Sequence, residues 1–150
     1  MQKKNFQRGF SIIETLMIVS LVAILASLFI VAINPVTHSS EAKNALRWSH
    51  VNALLNAVYQ YDLEHAGKPP PGVDGTAREV CNGSTNSDLC ISNGLVNLSL
   101  LVPQYIPALP TDPTSEGKMG SGYSVAADDL GKLTVRALHT EDVDVISVSR

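Results

Sequence analysis

The chain has little of what catalysis, metal binding or nucleic-acid recognition would require. Its four histidines, His38, His50, His65 and His139, lie far apart in no metal-ligand spacing. Its two cysteines have no neighbouring histidine, which makes a poor zinc site. Neither a Gly-x-Ser-x-Gly elbow nor a Gly-x-x-x-x-Gly-Lys phosphate loop is present. Gly117, Gly120 and Gly122 precede a strand-like segment instead of opening a helix, so they read as a flexible turn. Asp112, Glu116, Asp128, Asp129, Asp142 and Asp144 lack the compact spacing of a calcium loop and read as turn aspartates on a solvated face. Aromatics are only 5% of the residues, too few for a stacking platform, and basic residues number 11 against 14 acidic ones. These absences exclude an enzyme site, a cofactor, a metal and a nucleic-acid partner from the expectations.

What the chain does have is concentrated at its start. From Phe10 to Ile33 the residues are almost all apolar, and Glu14 is the only charge among them. The run is long enough to cross a bilayer as a helix, for which about 20 residues suffice. Lys3, Lys4 and Arg8 precede it, and such a basic flank keeps that end cytoplasmic. An ordinary secretory signal has a shorter apolar core closed by small residues, and no Ala-x-Ala pattern closes this one. An uncleaved signal anchor would account for the flank and the run. It gives no reason for the Gly9-Phe10 junction or for a carboxylate at Glu14, which is costly in lipid.

Gly9-Phe10 followed by Ser11-Ile12-Ile13-Glu14-Thr15-Leu16, behind a short positive leader, resembles the class III signal of type IV pilins and type II secretion pseudopilins. The resemblance implies that a prepilin peptidase cuts between Gly9 and Phe10 and methylates Phe10. It also implies that Glu14, the fifth residue after the cut, pairs with the Phe10 amine of a neighbouring subunit during assembly. The implied partners are the peptidase, identical or related subunits, the pilus assembly machinery, and membrane lipid before assembly. The implied product is a structural filament subunit, with a type II pseudopilin as the alternative. An anchored extracytoplasmic binding protein is the rival from another class. Many pilins carry a helix-bending proline where this chain has Val31; here Asn34-Pro35 interrupts the run.

The remainder is organised accordingly. The expected division is a leader over 1–9, a membrane or filament-core helix over 10–34, an amphipathic outer half over 35–66 and a head over 67–150. Val51, Leu54, Leu55, Val58 and Tyr61 recur at helical steps, and Gly67 before Lys68-Pro69-Pro70-Pro71 is a stop with the glycine as left-handed cap. The stretch from Gly67 to Gly94 reads as a long surface or partly disordered linker. Within it Cys81 and Cys90 bracket a short polar loop. An exported compartment favours a disulfide there over free thiols or metal ligands. Leu95–Val102 suggests a short helix ending at Pro103, and the segment 104–113 loosely resembles the one before the sheet in pilin-like heads. Gly122–Ala127, Lys132–Leu138 and Val143–Val148 read as strands. The expected fold is therefore α+β and pilin-like: a long N-terminal helix, membrane-spanning in its first half, with a small antiparallel β-sheet head. Asn82-Gly83-Ser84 and Asn97-Leu98-Ser99 match the glycosylation sequon, which matters only in a host with that pathway.

Overall fold

A computed structural model describes residues 9–33, 35–83, 87–141 and 145–150. The chain divides into two compact units, the first ending at Ser39 and the second running Ser40–Arg150. The layout is α+β, with an apolar N-terminal helix followed by a four-stranded antiparallel sheet.

In the first unit, α1 runs Ile12–Ile33, 22 residues, or about 33 Å at a rise of 1.5 Å per residue. It is apolar all round, which leaves no polar face to turn to water. Asn34 lies outside the described residues, and the next helix, α2, spans Pro35–Glu64.

In the second unit, α2 from Ser40 onward supplies the core with Val51, Leu54, Leu55, Ala57 and Val58. Their three- and four-residue spacing sets them in one stripe, as expected from the sequence. Tyr61 is only partly buried at its edge. The stripe continues toward the N-terminus with two polar residues, Asn44 and Arg47, both buried.

The end of α2 differs in detail from expectation. The Gly67 amide bonds to the Asp62 carbonyl at 2.9 Å, the long closing bond of a Schellman cap. That places Ala66, with φ of 58°, at the first left-handed position, and the expected glycine, Gly67, follows it in the same region with φ of 76°. A left-handed non-glycine residue costs roughly 1–2 kcal/mol. Ala66→Gly is therefore expected to stabilise the head by about 1 kcal/mol, raising Tm by about 4 °C in a thermal melt.

The sheet is a meander in the order β1-β2-β3-β4, with strands Arg78–Cys81, Gly120–Ala127, Leu133–Ala137 and Ser147–Ser149. Tyr123, Val125, Ala127, Leu133, Val135 and Ala137 turn toward α2 and complete the core. The expected linker over 67–94 is not a structureless connection. It contributes β1, which pairs with β2, and a short helix α3 at Ser87–Ser92. The expected helix at 95–102 shrinks to one 3₁₀ turn, Ser99–Leu101, because Val96 instead bridges to Val80 along the outer edge of β1. The last strand forms only from Ser147; residues 142–144 lie outside the described residues. The strand expected from Gly122 to Ala127 is present as β2 and begins two residues earlier, taking in Gly120, expected in the preceding turn.

Candidate functional site

Two places concentrate chemistry, one in each unit. The first is the start of α1. Ser11 precedes the helix, and its carbonyl accepts the amides of Glu14 and Thr15 at 3.0 and 3.1 Å. Gly9 and Phe10 lie outside the helix and are exposed, Phe10 at 73%. Gly9 and Phe10 are thus accessible chain outside the helix.

Beyond Glu14, the polar side chains between Ile12 and Ile30 are Thr15, Ser20 and Ser27. Each hydroxyl donates to a carbonyl three residues back: to Ile12, Met17 and Ile24 at 2.8, 2.9 and 2.7 Å. Bonded internally, they cost little in an apolar medium. Glu14 has no such bond among the described residues. Its place in the first turn suits the positive end of the helix dipole, which is a purely local reason for a carboxylate there. That reason covers only a few tenths to about 1 kcal/mol and does not satisfy the oxygens' hydrogen-bonding capacity. Glu14 borders a shallow apolar furrow with Met17, Ile18, Leu21 and Ile24. The span Ile12–Ile30 has mean hydropathy 2.5 and none of it is buried. It is long and apolar enough to cross a membrane.

The second place is buried in the head, and sequence reasoning missed it. Arg47 of α2 and Asp112, both with fully buried side chains, form a two-point ion pair: Nε to Oδ2 at 2.6 Å and Nη2 to Oδ1 at 3.3 Å. The remaining guanidinium nitrogen, Nη1, donates to Asn44 Oδ1 at 2.8 Å. Asp112 Oδ1 also accepts the amide and hydroxyl of Thr114 at 2.8 and 2.6 Å. Hydrogen bonding by Asp112 holds the Arg47 pKa above its ordinary value. Burial pushes the Asp112 carboxyl up, but the bonds from Arg47 and Thr114 outweigh it and leave the carboxyl below its usual range.

Glu141 extends the cluster to the C-terminal part of the chain. Its carboxylate meets Lys43 Nζ at 3.1 Å and Arg47 Nη2 at 3.6 Å, while its carbonyl accepts the Asn44 side-chain amide at 2.6 Å. The hydrogen bond from Lys43 leads the interactions that hold the Glu141 carboxyl low. Three residues from adjacent turns on one side of α2, Lys43, Asn44 and Arg47, therefore bind two segments distant in sequence.

The strand beside this cluster must be glycine. At Gly122, φ is +84°, and a β-carbon would stand 2.6 Å from Asp112 Cβ and 2.8 Å from Ser115 Oγ. The Gly122 amide donates to Glu79 Oε1 at 2.8 Å, where the β1–β2 register breaks between Glu79 and Cys81. Next along β2, Tyr123 is fully buried and shares a 2.8 Å hydrogen bond with His50 Nδ1. Burial pushes the Tyr123 phenol up and the His50 imidazole down. The pair has the groups of an acid–base couple, but the phenol has no exposed surface from which to reach a solute.

Cys81 and Cys90 are joined as a disulfide with Cα atoms 5.8 Å apart. Both are 1% exposed, so the bridge is part of the core that ties α3 to the edge strand β1. Asp112, expected on a solvated face, is instead buried, whereas Glu116, Asp128 and Asp129 are exposed. Among the described residues no three His, Cys, Asp or Glu side chains converge as a metal site. No family model, curated protein or solved structure matches the chain.

Proposed function

We propose that this chain is a structural subunit of a type IV pilus-type filament, made as a membrane-anchored precursor with its head outside the cytoplasm. The reading rests on one observation above the others: the exposed apolar span Ile12–Ile30 satisfies its hydroxyls internally, while Glu14 has no partner among the described residues. A carboxylate kept in such a helix calls for a partner supplied by something else.

Cleavage between Gly9 and Phe10 supplies one. The bond broken frees an α-amine on Phe10, cationic below a pKa of about 8. Glu14 of an incoming subunit and the Phe10 amine of its neighbour then neutralise each other where neither can be hydrated. An unpaired charge in that medium is penalised, so the pair acts as a register, while the apolar flanks supply the bulk of the association energy. Prepilin peptidase, further copies of this or related subunits and a pilus assembly machinery are the partners this reading requires.

The N-terminus and intact mass of the protein recovered from membranes test it directly. The expected product begins at methylated Phe10, and Gly9→Ala is expected to abolish processing while leaving membrane insertion intact. A chain still beginning at Met1 beside an active peptidase would point to a signal-anchored binding protein instead.

A further inference from the structure

Inside the head, α2 and β2 are joined by a side-chain hydrogen bond whose direction a proton can reverse. Tyr123 enters the core from β2 and is fully buried. Its hydroxyl lies 2.8 Å from Nδ1 of half-buried His50, and the two rings meet edge to face with centroids 5.7 Å apart. The direction of the bond follows from what each group can do. A phenol hydroxyl both donates and accepts, while a neutral imidazole has one nitrogen of each kind. His50 Nδ1 is the sole hydrogen-bond partner of the Tyr123 hydroxyl among the described residues. If Nδ1 donated, the phenolic hydrogen would be buried with no acceptor, which costs more than a typical bond contributes. The hydroxyl therefore donates to Nδ1, and the imidazole carries its hydrogen on Nε2.

The surroundings of the ring are matched to its neutral form. Burial opposes a second proton on His50, and the Asp112 carboxylate, from the segment ahead of β2, favours one. That carboxylate is already engaged at two points by Arg47, which lies one turn before His50 on α2. Farther along the same cluster, Lys43 and Glu141 pair with each other. Two cations and two anions are thus in balance while the imidazole is neutral. A protonated His50 adds a positive charge that none of them is free to match.

We infer that His50 and Tyr123 form an acid-sensitive latch between α2 and β2. While the imidazole is neutral, the Tyr123 hydroxyl donates to Nδ1 and both groups are satisfied. A proton taken up at Nδ1 turns that acceptor into a donor. The phenolic hydrogen then loses its only acceptor in a place that water does not reach. A contact that held the helix to the sheet now favours their separation. The latch belongs to the head alone and does not depend on filament assembly. In a head outside the cytoplasm it would meet the pH of the surroundings directly.

The test uses the full chain in detergent, isotope-labelled in histidine. Long-range proton–nitrogen spectra report which ring nitrogen carries hydrogen, and contact with the Tyr123 ring identifies His50 among the four histidines. Near neutral pH the expected form has hydrogen on Nε2 and Nδ1 as acceptor. Tyr123→Phe keeps the ring and removes the hydroxyl, so His50 in that variant is expected to take up its proton at a higher pH. A bond donated by Nδ1 would give the reverse shift, because it survives protonation and favours it. On acidification through the His50 transition, hydrogen-exchange protection of the β2 amides is expected to fall about tenfold or more, equivalent to leaving one buried donor unpaired. The fall is expected to be smaller in Tyr123→Phe, which has no hydroxyl to strand. Hydrogen on Nδ1 in the unaltered chain would overturn the latch without recourse to any variant. So would a His50 transition in Tyr123→Phe at the same or a lower pH, or β2 protection that stays constant through the transition.

Discussion

Replacing Arg47 with methionine is expected to destabilise the head by about 3–5 kcal/mol, the usual cost of leaving one member of a buried ion pair behind. Methionine keeps most of the length and packing volume of the side chain, so the loss is that of charge and hydrogen bonds, not of a cavity. Asp112 would remain fully buried and lose its only cationic partner among the described residues, while Asn44 would lose a donor. Against a total stability of about 5–15 kcal/mol for a typical domain, this is about a fifth or more. Denaturant unfolding of the full chain in detergent, followed by far-UV circular dichroism, measures it. Arg47→Met/Asp112→Asn is expected to recover part of the loss, because a neutral amide can still accept from Thr114 without an unpaired charge. A cost below about 1 kcal/mol for the single variant would show that the pair contributes no more than a surface bridge.

The same cluster sets the direction of the pH dependence. Asp112 and Glu141 have depressed folded-state pKa values, so they bind fewer protons folded than unfolded at acidic pH. Their contribution is complete above their unfolded values of about 4 and is lost as pH falls through the depressed ones. His50, with its value lowered chiefly by burial, acts in the same sense at a higher pH. The unfolded imidazole takes up a proton below about 6.5, where the folded one resists. All three make the head less stable as acidity rises, and Arg47→Met is expected to flatten the lower part of that curve.

The helical stripe and two of the strands were legible in the sequence because they are local patterns. Val51, Leu54, Leu55 and Val58 repeat at the period of a helix, and the alternation over Leu133–Ala137 repeats at that of a strand. The short β1 was not legible. Arg78-Glu79-Val80-Cys81 carries two charges in four residues, inside a stretch rich in proline and glycine. It is a strand because Val80 and Cys81 enter the core and Glu79 bonds the Gly122 amide in β2. The Arg47–Asp112 pair was hidden for a different reason. Its members are 65 positions apart, and each has an ordinary local reading: an arginine on a polar helix, an aspartate in a proline-rich turn. One signal was available in retrospect, since Asn44 and Arg47 continue the buried stripe of Val51 and Leu54 at the same spacing. At the N-terminus the reverse holds. The bare apolar helix and the lone carboxylate follow from composition alone, and the geometry adds that the hydroxyls are satisfied while the carboxylate has no partner among the described residues.

That last distinction yields the functional prediction with the largest effect. Glu14→Leu removes the only charge from α1 and leaves the run from Phe10 to Ile33 without a charge. Insertion should improve, since a carboxylate costs up to roughly 2.5–3.5 kcal/mol at a helix centre and less near its end. Thr15 and Ser20 keep their carbonyl partners, so the helix itself has no reason to change. A pure anchor would therefore work at least as well with leucine. A register carboxylate would not, because the Phe10 amine of the neighbouring subunit would enter an apolar site unpaired. Breaking such a pair costs about 3–5 kcal/mol, or two orders of magnitude or more in an association constant at 1.36 kcal/mol per tenfold. The expected result is a processed, membrane-resident Glu14→Leu protein whose sheared filament falls about a hundredfold, with Glu14→Asp intermediate because its charge remains but its reach is shorter. Normal filament from Glu14→Leu would remove the assembly role and leave Glu14 as a residue that merely suits the first turn of a helix.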